Sequence, residues 1–183
     1  EKAVYYEEKR ALIIADPHFG KTGHFRKSGI PIPGGADEAN FRALERLLDT
    51  YAPQSVYILG DLFHSRQNYE WKGFTNWLAQ YPDVHFHLIQ GNHDILPDDA
   101  YQQAGLHLHR DPAVHVGPFS FTHKPYDSPN NADRVNMSGH IHPGIQLKGK
   151  GRQTLKLPCF YWRQEQLILP AFGHFTGTSL VKP

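Results

Sequence analysis

The stretch SVYILGD, residues 55–61, sets the reading of the chain. An apolar run from Val56 to Leu59 passes straight into Gly60 and Asp61. A run without alternating polar positions is the mark of a strand buried on both faces, as in the middle of a layered α/β sheet. Gly-Asp after such a strand is, taken alone, ordinary turn chemistry. Its meaning changes because the event recurs. ALIIADPH (11–18), HLIQGNHD (87–94), FSFTH (119–123) and NMSGHIH (136–142) are four more apolar runs. Each delivers Asp, Asn or His at its exit. In open α/β sheets ligands gather beyond the carboxyl ends of the strands. Five such exits therefore mark one place in the fold.

The rest of the chain fits around these strands. AVYYEE and ALIIAD, joined by EEKR, read as a hairpin. Residues 20–36 are loop, with five glycines and two prolines and no periodicity. DEANFRALERLLDTY, residues 37–51, is amphipathic, with Phe41, Leu44, Leu47, Leu48 and Tyr51 at helical spacing, Asp37 as its cap and Pro53 just beyond it. WKGFTNWLAQY, from residue 71, predicts a second helix that buries Trp71, Phe74, Trp77 and Leu78. VHVGPFSF predicts two short strands around a Gly-Pro turn, and the tail from Thr154 alternates as strands. Early strand–helix alternation followed by strands alone predicts a layered α/β sandwich of mixed sheets. With no repeat, linker or low-complexity tract, residues 1–183 are expected to form a single domain.

Composition narrows the class. The 183 residues are 39% hydrophobic and 20% charged, as in a soluble globular protein. No apolar run approaches the length needed to cross a bilayer. Cys159 is the only cysteine, so no internal disulfide forms, and a reducing, cytoplasmic setting is expected. With 19 basic and 18 acidic residues the net charge is +1, which excludes a strong overall polycation. Histidine is in excess, with 13 copies. It is the commonest metal ligand and the natural acid–base group near neutral pH.

Carboxylate and amide oxygens mixed with imidazole nitrogens suit divalent ions such as Mn, Fe or Zn, and the lack of paired cysteines argues against a structural zinc site. Asp16 and His18, two apart, would lie on one side of an extended strand end and grip one ion. His140 and His142 repeat that spacing, and Asp61 is the natural carboxylate to bridge two ions. Asp16-x-His18, Gly60-Asp61, Gly91-Asn92-His93-Asp94, His123 and Gly139-His140-x-His142 resemble the full signature of the calcineurin-like metallophosphoesterases. That resemblance implies a four-layer αββα arrangement around a central β-sandwich and a dinuclear centre, with Mn first and Fe or Zn as alternatives. It implies that Asp16, His18 and His142 hold one ion, that Asn92, His123 and His140 hold the other, and that Asp61 bridges them. Hydrolysis would proceed by attack of a hydroxide held between the ions.

Finer features point to phosphodiesters. Many phosphatases of the family carry an aspartate three residues after the bridging one, then Arg and Gly; here stand His64, Ser65 and Arg66. GDLFHS is similar to the nuclease branch, which makes His64 a second catalytic candidate beside His93. His93 is expected to protonate the leaving alkoxide, and Asp94 to orient the loop. ADPHFGKTGHFRKSGIPIP and LPAFGHFTG resemble the small bacterial DNA ligase-associated metallophosphoesterases. This implies a DNA-repair setting alongside a ligase, a helicase and an exonuclease. Lys21, Arg26 and Lys27, with His24, are candidates to bind phosphates of the substrate. Lys148, Lys150, Arg152 and Lys156 are candidates of the same kind, with a solvated charged face as the simpler reading. His85, His87, His107, His109 and His115 read as structural or surface histidines. The competing functions are a phosphomonoesterase or small-nucleotide hydrolase on the same centre, and a non-catalytic scaffold, which intact ligand positions disfavour.

Overall fold

The computed structural model describes residues 1–20, 36–63, 69–127, 133–174 and 176–182. The first sheet has the order β1-β2-β3-β4-β5. Its strands are β1 (Val4–Tyr6), β2 (Ala11–Ile14), β3 (Ser55–Leu59), β4 (His85–Ile89) and β5 (Leu106–His109). β1 is antiparallel to β2, while β2 to β5 are all parallel. Parallel neighbours need crossover connections. Helices α1 (Ala36–Tyr51), α2 (Tyr69–Leu78) and α3 (Asp98–Gln103) lie in the three crossovers. The second sheet has the order β11-β12-β8-β7-β6. It contains β6 (Val114–Val116), β7 (Phe119–Phe121), β8 (Val135–Ser138), β11 (Tyr161–Arg163) and β12 (Gln166–Ile168). β9 (Pro143–Lys148), β10 (Thr154–Pro158) and β13 (Ser179–Leu180) make a small third sheet. The result is a mixed α/β fold with several mixed sheets.

The period of two along each strand divides the core. Leu12, Ile14, Val56, Ile58, Phe86, Leu88 and Leu106 pack with the helices, whereas Ala11, Ile13, Leu59 and Ile89 pack against Phe121, Met137 and Leu169 of the second-sheet side. The described helices thus form one layer on the outer face of the first sheet, and the two five-stranded sheets face each other. Both sides of β2 are buried, as its unbroken apolar run predicts.

α1 and α2 form where expected and for the expected reason. Leu44, Leu47 and Leu48 are buried on one side of α1, and Trp71, Phe74, Trp77 and Leu78 on one side of α2. Trp77 Nε1 donates to Glu45 Oε1 at 2.8 Å, fastening the two helices together. Two details differ. α1 begins at Ala36, so Asp37 lies in its first turn and not ahead of it. Tyr51 is 42% exposed, because it closes the helix beyond the core and stacks on Tyr5 with centroids 4.7 Å apart. The six-residue α3 carries too short a pattern to be read from periodicity. It is held by Tyr101, fully buried, whose hydroxyl accepts the Leu96 amide at 3.2 Å.

The inner faces of β4 and β5 carry a ladder of imidazoles. His87 stacks on Tyr57 at 4.6 Å and on His107 at 4.9 Å, and its Nδ1 lies 3.0 Å from His109 Nε2. His85 extends the row, 5.9 Å from His107. Burial, reinforced by the neighbouring imidazoles, pushes the His87 pKa down to about 4.

Candidate metal centre

The strand exits meet at one edge of the facing sheets. Asp16 and His18 follow β2, Asp61 follows β3 and Asn92 to Asp94 follow β4. From the second sheet, His123 follows β7, and His140 and His142 follow β8. Asp16, His18 and His142 form one group whose candidate ligand atoms all lie within 4.8 Å of one another, and Asp61, His123 and His140 form another. Each group draws on both sheets.

Backbone conformation, not strand alternation, brings them together. Asp16, His18, Asp61, His140 and His142 all have left-handed backbones, with φ of 49°, 48°, 49°, 69° and 54°. The expectation that Asp16 and His18, and likewise His140 and His142, share one side of an extended strand end is therefore corrected: the chain curls at each of them. Such a conformation costs about 1–3 kcal/mol at a non-glycine residue and concentrates at functional sites.

Glycines make room for the curls. A Cβ on Gly60, whose φ is 80°, would collide with the His123 ring, and a Cβ on Gly91 would collide with the backbone and carboxylate of Asp61. These glycines answer to residues at the exits of other strands, one of them in the facing sheet, as well as to their own turns.

Backbone amides then aim the carboxylates. The His140 N–H donates to Asp16 Oδ2 at 2.8 Å, and the His93 N–H donates to Asp61 Oδ1 at 2.9 Å. Asp16 Oδ1 and His142 Nε2 are buried, 3.6 Å apart, and have no hydrogen-bond partner among the described residues. Asp61 Oδ1 lies 3.5 Å from His123 Nε2, while Oδ2 lies 3.9 Å from His18 Nε2. One oxygen faces each group.

The ring of His123 shows what the second group is built to accept. Its Nδ1 is 3.0 Å from the Leu59 carbonyl, which only accepts, so Nδ1 carries a proton and Nε2 is the nitrogen left to face the group. Nε2 lies 3.0 Å from Asn92 Oδ1 and 3.1 Å from His140 Nδ1. Three atoms able to ligate a metal thus converge on one point. Burial, with the nearby His123, also lowers the His140 pKa, which favours a neutral imidazole. The donor set and the orphaned buried atoms fit a pair of divalent ions.

Asp94 locks the surrounding loops. Its Oδ1 accepts the Leu62 amide at 2.9 Å and its Oδ2 accepts the Gly91 amide at 2.8 Å, tying the β3 exit to the β4 exit. Burial pushes its carboxyl up to about 6, opposed by the Gly91 amide and aided by the charge of Asp61. His93 is exposed, and its ring lies edge-on to His18 at 5.7 Å.

A cavity of about 590 Å³ opens beside the second group, with Gln90, Asn92, Arg110, His123, Lys124 and Tyr126 among its lining residues. Arg110 is already paired with Asp98 and donates to Gln90 Oε1 at 2.9 Å, whereas Lys124 is exposed. Lys124 and Tyr126 escaped the sequence reading, and their place directly after His123 was the available signal. His64, Lys21, His24, Arg26 and Lys27 lie outside the described residues. Lys148, Lys150 and Lys156 are exposed on β9, β10 and the turn between them; Arg152 belongs to the same turn.

The family model for calcineurin-like phosphoesterases matches residues 9–166. The chain belongs to that family. Among solved structures, the Pseudomonas putida nuclease MPE is 31% identical with a TM-score of 0.81, the alignment covering 100% of this chain and 84% of that one. Yfce, a phosphoesterase from E. coli, is 17% identical with a TM-score of 0.45 over 88% and 79% of the two chains. Among curated protein sequences no match reaches significance. Family membership brings a dinuclear divalent-metal site with it, and the two groups are its candidates here. No described helix is long and apolar enough to cross a membrane.

Proposed function

We propose that this phosphoesterase is a phosphodiesterase, and specifically a nuclease acting on DNA. The supporting observation is the pair of converging groups with Asp61 between them. Asp16, His18 and His142 would hold one ion; Asn92, His123 and His140 would hold the other. Asp61, with one oxygen toward each group, would bridge them. Mn is the first choice, with Fe or Zn as alternatives. When bound, two such ions acidify a water, clamp the phosphate oxygens and offset the charge that builds on them.

The chain's own residues supply orientation and proton transfer. The Leu59 carbonyl fixes the tautomer of His123, and Asp94 holds the two loops that carry Asp61 and Asn92. His93, anchored through its amide to Asp61 and exposed toward substrate, gives a proton to the departing ester oxygen. General-acid help of this kind contributes ~10²–10⁴-fold.

Diester preference rests on the histidine at position 64 where phosphatases carry aspartate, and on the nuclease named among the similar structures. A monoester dianion carries an extra charge that calls for further cationic partners. The motifs around residues 15–33 and 169–177 support placement among the ligase-associated enzymes, in a cytoplasmic repair setting with a ligase, a helicase and an exonuclease. One observation favours a phosphomonoesterase or small-nucleotide hydrolase instead: Lys124 stands beside His123 on the 590 Å³ cavity. Mn-loaded protein is expected to cleave an aryl phosphodiester faster than the matching monoester, and to nick DNA. A far better monoester rate, with DNA intact across several metals, would hand the site to the second reading.

A further inference from the structure

A second cavity, sharing no lining residue with the two groups, brings two lysines together. A cavity of about 520 Å³ is lined by Lys2 at the start of the chain, Lys156 of β10, and His174, Thr176 and Thr178 from the segment leading to β13. That volume is within the ~300–1,000 Å³ of small-ligand sites. None of its described lining residues carries a carboxylate. The side chain of Glu1, the nearest in sequence, pairs with Arg46 at 3.7 Å.

The lining is preorganised. Lys2 Nζ donates to the Gly173 carbonyl at 3.1 Å, which occupies one of its three ammonium donors. Burial, partly offset by Glu1, pulls the Lys2 pKa down to about 8, so it stays mostly charged at neutral pH in a place where water solvates it poorly. His174 Nδ1 donates to Asn40 Oδ1 at 2.8 Å, which fixes the ring as part of the wall. Thr176 Oγ1, buried in the wall, has no hydrogen-bond partner among the described residues. A half-buried ammonium beside a second lysine, with no carboxylate opposite, is a site for an oxyanion.

Its location says which oxyanion. The lining segment is tied to the first metal group at both ends: the Gly173 amide donates to the Asp16 carbonyl at 3.3 Å, and the Ser179 amide donates to the His142 carbonyl at 2.9 Å. The cavity wall is thus anchored on the strand exits that carry the first group, and a ligand with phosphates in series is the class that would span the two. We propose that the cavity is a subsite for a neighbouring phosphodiester group of a polynucleotide strand, gripped by Lys2 and Lys156. The assignment rests on the phosphodiesterase reading above.

The test pairs Lys2→Ala/Lys156→Ala with the charge-keeping Lys2→Arg/Lys156→Arg. In Mn-loaded protein, the ratio of kcat/KM for a single-stranded hexanucleotide to that for an aryl diester should fall about tenfold in the alanine pair. The salt dependence of log kcat/KM should also become shallower, by about 0.7 in slope for each phosphate that the variant no longer neutralises. The arginine pair should keep the wild-type ratio. A ratio within twofold of wild type in the alanine pair overturns the subsite. Direct binding is measured separately, in the Mn-loaded His93→Ala background, which is expected to keep its metals while turning over slowly, with a fluorescein-labelled hexanucleotide and with inorganic phosphate. Loss of hexanucleotide binding alone supports a strand subsite; equal loss for both makes it a free-phosphate site and overturns the polynucleotide assignment. Wild-type protein that cleaves no diester sinks the phosphodiesterase reading, and the binding measurement still decides the subsite.

Discussion

Two histidine-rich regions of the molecule do opposite things. On β4 and β5 the rings of His85, His87, His107 and His109 stand on extended backbone; His87 stacks on Tyr57, His107 and His109, and His85 lies tilted against His107. Only one ring-nitrogen pair there, His87 with His109, comes within hydrogen-bond reach among the described residues, and no carboxylate joins a metal-ligating group among them. At the strand exits, His18, His140 and His142 sit on left-handed backbone and present their lone pairs to shared points with Asp16 and Asp61. Histidine content does not make a metal site. Convergence of lone pairs does, and the backbone sets it.

The sharpest way to break this contrast is to remove one carboxylate. Asp61→Asn should strip the chain of one or both ions and lower kcat/KM for an aryl diester by ~10²-fold or more. His87→Gln, in the ladder, should leave the metal content unaltered. Elemental analysis after Mn loading reads both, and ions retained in the first variant would count against the bridging role. Next comes chemistry without binding. His93→Ala should keep its metals yet lose about 10²-fold in kcat on an alkyl diester, and less on an aryl diester whose good leaving group needs little protonation. Near-normal turnover of the alkyl diester would demote His93 to a bystander.

A smaller effect separates backbone from space. Gly60 and Gly105 have nearly the same φ, 80° and 85°, but a Cβ on Gly105 meets nothing within 4 Å while one on Gly60 strikes His123. Gly105→Ala should cost about 1 kcal/mol by chemical denaturation. Gly60→Ala should cost clearly more and reduce metal content as well; equal costs would show that the glycine serves only its own turn.

The smallest effect concerns acid. The His87 pKa falls from 6.5 to about 4 in the folded chain. The unfolded chain therefore binds this proton first, and stability present above pH 6.5 declines as pH drops toward 4. His87→Phe, which keeps the stack, should show a flatter Tm profile than wild type across that window. Parallel profiles would remove His87 as a source of acid sensitivity.

The strand exits could be read from the chain because an apolar run and its polar terminus are adjacent in sequence. Burial of Trp71, Phe74, Trp77 and Leu78 was legible for the same local reason, through helical spacing. What escaped depends on remote partners. The left-handed curls at Asp16, His18, His140 and His142 leave no trace in residue type, since Asp and His also sit happily in ordinary turns. Gly60 reads as turn punctuation until His123 is seen against it. The cavity between Lys2 and the 171–178 segment joins the two ends of the chain, which no spacing rule reaches.

Each metal group draws on both sheets, and this orders events during synthesis. A chain leaving the ribosome exposes Asp16, His18 and Asp61 first, and these hold only part of either group. His123, His140 and His142 emerge later, so neither group closes until β8 is out and paired. Neither group is complete before His140 and His142 have emerged. A product truncated before His140 carries most of the recognisable motifs and neither complete group.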